Sequence, residues 1–74
     1  MLRVDVLARL LVERLNSIGP MPETEAIDVL DIRAPGRGAE AVSYAIRVGL
    51  VRRAQHGDEP ATLEALGAPR TLAA

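Results

Sequence analysis

With 74 residues the chain has room for one domain and a small core, since folds of this size bury only about 60% of the surface their unfolded chains expose. It has no cysteine, which excludes a disulfide framework or a thiolate zinc site, and no uncharged run near the ~20 residues of a membrane span. The formal net charge of −1 argues against indiscriminate coating of nucleic acid, and Tyr44 as the lone aromatic residue rules out a stacking platform for single strands. These features read as a soluble, cytoplasmic protein with no membrane association and no signal peptide.

The first predicted element is a helix over residues 4 to 17. Val4, Leu7, Leu11, Leu15 and Ile18 recur at the three-to-four spacing of one helix face, and Val6, Leu10 and Val12 widen that stripe. A stripe so broad in so small a domain implies sharing with a second chain, a homodimer through Leu2, Val6 and Leu10. Asn16-Ser17-Ile18-Gly19-Pro20 supplies the stop.

A second helix is predicted from Met21-Pro22-Glu23-Thr24-Glu25 to Ile32. Pro22 suits a first helical turn, and the early glutamates complement the positive end of the helix dipole. Ala26, Ile27, Leu30 and Val29 form its apolar side. The competing reading is a strand over residues 26 to 32, because Ile27, Val29 and Ile32 favour sheets; the Pro-led, Glu-rich start favours the helix.

Gly36-Arg37-Gly38 then interrupts the chain, and a third helix is expected over residues 39 to 48. Val42, Ala45 and Ile46 fall on one face, with Glu40, Ser43, Tyr44 and Arg47 largely on the other. Gly49 accepts the left-handed conformation that ends helices. Leu50 to Gln55 reads as a strand, His56-Gly57-Asp58-Glu59-Pro60 as a turn rather than a metal site, and Ala61 to Leu66 as a second strand. The domain is expected to span residues 1 to 69, with 70 to 74 as a flexible tail.

Gly36, Gly38 and Ala41 also match the phosphate-cradling pattern G-x-G-x-x-G/A. That pattern needs a buried strand before it and neighbouring parallel strands around it, which a chain of this length does not supply. The two glycines are read instead as an unusually loose turn. Ser43 has no His and acid partners, so no constellation supports catalysis, and no cofactor is expected.

Charge is unevenly spread. Residues 19 to 32 hold Glu23, Glu25, Asp28 and Asp31 with no base. Residues 33 to 53 hold Arg33, Arg37, Arg47, Arg52 and Arg53 against Glu40 alone, a local balance of +4. Such a block can focus potential on a phosphate backbone although the whole chain is slightly acidic.

The order of elements, and above all Ala45-Ile46-Arg47-Val48-Gly49-Leu50-Val51-Arg52-Arg53, resembles the winged helix-turn-helix domains of small bacterial and phage regulators. In that family the second helix of the motif ends in an apolar residue followed by Gly-Leu-Val or Gly-Leu-Ile, and basic residues then open the wing. The resemblance implies a mainly α protein with a small β-hairpin: three helices followed by a two-stranded wing. It also implies double-stranded DNA as partner. Helix 39 to 48 would enter a major groove, with Arg37 at its N-terminal end and Ser43, Tyr44 and Arg47 on its exposed side. Arg33 belongs to the same basic surface, and Arg52 and Arg53 would begin the wing, one outward on phosphate and one toward the helices. The expected function is a sequence-specific DNA-binding regulator. The alternative is a non-catalytic protein-interaction module on the same fold, an accessory or phage-encoded modulator of a larger protein partner. Neutralisation of the arginines by Glu23 and Glu25 would favour that alternative.

Overall fold

The computed structural model describes residues 3–66. Leu2, the end of the expected domain at 67 to 69 and the expected tail at 70 to 74 lie outside the described residues. In chain order the elements are α1 (Val4–Ile18), β1 (Met21–Pro22), α2 (Glu23–Arg33), α3 (Gly38–Arg47), β2 (Val51–Ala54) and β3 (Thr62–Ala65). The strands form one antiparallel sheet in the order β1-β3-β2. The molecule is therefore α+β, with three helices and a three-stranded antiparallel sheet. Among the described residues no helix is long and apolar enough to cross a membrane.

In α1 the buried row is Leu7, Leu11 and Leu15, with Ala8 beside it. Ile18, expected to continue that row, is instead 59% exposed, because the helix ends there and the chain turns away through Gly19. The broad stripe divides between neighbours. Leu10 and Val12 are half-buried on opposite flanks of the row, and Val6 is left exposed. The expected dimer residues Val6 and Leu10 thus sit in different surroundings.

Met21 and Pro22 depart from expectation. They form a short strand paired with Leu63 and Thr62 rather than the first turn of α2, so the expected two-stranded wing is a three-stranded sheet. Pro22 has φ −59° and ψ 144°, an extended conformation suited to the edge of a sheet, where its missing N–H goes unnoticed. The first helical N–H, that of Glu23, donates to the Ala61 carbonyl at 2.9 Å, so the strand connection satisfies a donor that a helix start otherwise leaves open. α2 then runs as a helix through residues 26 to 32, which removes the strand reading and with it the phosphate-loop pattern.

The core sits where α1 and α2 pack chiefly against α3 and where the sheet closes the open side. Its large side chains are Leu7, Leu11, Leu30, Leu63, Val42 and Val51. Without Phe or Trp to fill volume, the helices close the space themselves. Ala8, Ala26, Ala41 and Ala45 are fully buried at the crossings, and their small side chains let the helices approach. Leu63 and Met21, adjacent across the sheet, carry the hairpin into this core. At the end of α3, Gly49 adopts φ 84°, and its N–H reaches back to the Ile46 carbonyl before β2 begins.

Candidate nucleic-acid interface

The site is built around the turn between α2 and α3. Its four residues, Ala34 to Arg37, are pinned at three points. The Ala34 N–H donates to the Leu30 carbonyl (2.9 Å), and the Arg37 N–H to the Ala34 carbonyl (3.0 Å). The Gly38 N–H donates to Asp31 Oδ1 (2.7 Å), a carboxylate cap from the preceding helix on the open end of α3.

The two glycines do different jobs, and neither makes the turn loose. Gly36 occupies φ 81°, which an L side chain rarely adopts. Gly38 is buried against α2, and a Cβ there would run into the Ile27 carbonyl oxygen and Asp31 Oδ1. The expected loose turn is thus a tight one, because a backbone-to-backbone approach replaces side-chain packing at this junction.

α3 emerges with a fixed orientation. Gly38, Ala41, Val42 and Ala45 face the core, whereas Ala39, Glu40, Ser43 and Arg47 are exposed. Tyr44 does not join that exposed row. One residue on from Ser43 is a turn of about 100°, which brings the ring to the α1 side of the helix. There it is half-buried and lines a recess of about 250 Å³ with Asp5, Arg9, Val12 and Leu50. The Arg47 guanidinium lies 5.8 Å from the centre of the Tyr44 ring, so the ring also steers that arginine.

The arginines of the +4 block fall into two groups. Arg37, at the N-terminal end of α3, is held by Glu40 (Nε to Oε1, 3.0 Å). Arg52 pairs with Glu64 directly across the hairpin (2.8 Å), and Arg53 reaches from β2 to Glu23 in the first turn of α2 (2.9 Å). The register places Arg53 in the row of Leu63 and Met21, while Arg52 and Glu64 share the opposite face. Arg33 and Arg47 have no carboxylate within ion-pair distance among the described residues. Beyond β2 the hairpin tip is a turn: the Glu59 N–H donates to the His56 carbonyl, and Gln55 Nε2 to the Glu59 carbonyl.

Three residues not singled out as site residues therefore govern it. Asp31 caps α3, and Glu23 and Glu64 hold the arginines of β2. Glu23 was read as a helix-start charge and, with Glu25, as a possible neutraliser of the arginines, and it is Glu23 that pairs with Arg53. Nothing short of strand register identifies Glu64.

A second surface lies between α1 and α2, and Arg33 at the end of α2 belongs to its rim. It is a groove of about 260 Å³ with Leu10, Ile18, Val29 and Leu30 as its apolar part and Glu13, Arg14, Ser17 and Arg33 as its polar part.

No family model matches the chain, and no curated protein or solved structure matches it either.

Proposed function

We propose that this chain is a winged-helix DNA-binding module: a non-catalytic, cytoplasmic regulator that presents α3 to the major groove of double-stranded DNA. The observation that carries the reading is the outward face of α3. Ala39 and Ser43 are short, so the helix backbone can come close to a groove floor, and Arg47 extends from the far end as a cation without a carboxylate partner among the described residues. A major groove about 12 Å wide accepts a helix of this kind, and a guanidinium reads guanine edges bidentately. Arg33 and Arg37 flank the turn, where a backbone phosphate would pass. The sheet order β1-β3-β2, with β2 and β3 forming a hairpin after α3, fits the winged arrangement.

Titration of labelled duplexes, followed by fluorescence anisotropy at low salt, tests the reading. Arg47→Ala is expected to weaken binding to the preferred duplex by about tenfold or more, the effect of losing one bidentate base contact. Absence of duplex binding, or binding that Arg47→Ala leaves unchanged, would defeat it.

A protein-interaction role is the second reading, and a specific observation favours it: three of the five arginines in the basic block are neutralised by glutamates of the same chain. The groove between α1 and α2 is then the docking face. Homodimerisation through α1 is compatible with either role, because Val6 and Leu10 remain exposed or half-exposed.

A further inference from the structure

Both arginines of β2 are occupied by glutamates of the same chain, and the occupancy is lopsided. In the Arg52–Glu64 pair the guanidinium side chain is 59% exposed and the carboxylate side chain 35%. In the Arg53–Glu23 pair the values are 53% and 23%. The carboxylates are the shorter and less exposed partners of the two pairs, and the Glu23 backbone is tied to Ala61. The arginines are the movable ones, long and solvent-facing.

We infer that Glu23 and Glu64 are specificity-determining residues, intramolecular stand-ins for DNA phosphate that hold Arg53 and Arg52 out of non-specific backbone contacts. This rests on the DNA-binding reading above. A phosphate that takes either arginine must displace a carboxylate and leave it without a counterion near a polyanion, so the exchange gains little. Backbone contacts supply most of non-specific affinity, whereas base edges supply discrimination. Withholding two backbone contacts therefore leaves binding dependent on α3. The pairs make a module with an accessible arginine surface selective without lowering its content of arginine.

The test measures binding of a mixed-sequence duplex across a sodium chloride series for the wild-type chain, Glu64→Gln, Glu23→Gln, the two combined, Arg52→Gln with Glu64→Gln, and Arg47→Ala. Each single glutamine variant is expected to bind several-fold tighter, with the slope of log K against log salt steeper by about one. Arg52→Gln with Glu64→Gln is expected to return to wild-type affinity. Thermal melts establish that each variant is folded, and Glu64→Thr, a good strand residue, serves if Glu64→Gln is not. Unchanged affinity and slope in the glutamine variants, while Arg47→Ala still weakens binding to the preferred duplex, overturns the inference and leaves the DNA-binding reading standing. A gain that persists in Arg52→Gln with Glu64→Gln also overturns it, because removal of negative charge alone would then be the cause. If neither the wild type nor the combined glutamine variant binds duplex at any salt, the DNA-binding reading itself fails.

Discussion

The helical side and the hairpin side of this molecule are held by different physics. At the α2–α3 junction two backbones meet where Gly38 leaves no room for a Cβ, and a carboxylate from one helix caps the other. On the hairpin side, β2 and β3 are four residues each, and their side-chain links are exposed ion pairs, Arg52–Glu64 between the strands and Arg53–Glu23 to α2. Close packing and a charge-assisted hydrogen bond tolerate almost no geometric change, whereas solvent-facing ion pairs exchange partners at little cost. The lesson is a division of labour. The junction fixes where α3 points, and the hairpin carries charges that are free to be redistributed.

That contrast breaks if the hairpin is only appended to a self-sufficient helical unit, and Leu63→Ala is the change that decides. Leu63 is fully buried and is the main anchor of β3 in the core. Truncating it should cost about 3 kcal/mol, the ordinary loss for a buried leucine. Because Leu63 packs in one cluster with Leu7, Leu11 and Val42, unfolding is expected to be global, with helical circular dichroism and Tyr44 fluorescence lost in one coincident transition. Two separate transitions, with helices surviving the loss of the sheet, would show the sides to be independent.

Gly38→Ala sharpens the same comparison from the junction side. Alanine is favoured over glycine within a helix by about 1 kcal/mol, so on propensity alone the substitution stabilises. Here the new methyl meets a backbone carbonyl of α2, which cannot step aside as a flexible side chain would. Overpacking of this kind costs about 1–3 kcal/mol and sometimes more, and the clash should win with a net loss of about 2 kcal/mol. Urea denaturation measures it. A neutral or stabilising result would mean that α2 and α3 slide apart easily, and that the orientation of α3 is not set by this contact.

Much of the fold was legible from the chain because the helices advertise themselves. Leu7, Leu11 and Leu15 on α1, and Val42 and Ala45 on α3, repeat at helical spacing, and Gly49 marks a helix end by its conformation. β1 was not legible, since two residues carry no periodicity and Pro22 reads equally well as a helix start. Tyr44, grouped with the exposed face of α3, lies at the edge of the core instead, because its position borders the apolar row and its ring packs beside α1. The +4 block was legible as composition but not as potential. Its offset by Glu64 depends on a pairing of residues twelve apart, and although Glu23 was named as a possible neutraliser, its choice of Arg53, thirty residues on, is one that sequence alone does not set.

The smallest expected effect is the most informative about the hairpin. Arg53–Glu23 bridges β2 and α2, and so it is the one ion pair between the two sides of the molecule among the described residues. If it fastens the hairpin to the helices, a double-mutant cycle on stability with Arg53→Gln and Glu23→Gln should give a coupling above about 1 kcal/mol that survives added salt, as partly buried pairs do. The exposure of Arg53 argues otherwise. A guanidinium more than half in water gains little Coulomb energy and loses side-chain freedom, so the coupling should be about 0.5 kcal/mol or less and should fade in about 1 M salt. Leu63 and Met21 already join the sheet to the core without help from charge, and the pair is therefore free to serve binding. A weak, salt-sensitive coupling would mean that the pair occupies Arg53 without fastening the sheet, so that its effect falls on charge at the surface rather than on stability.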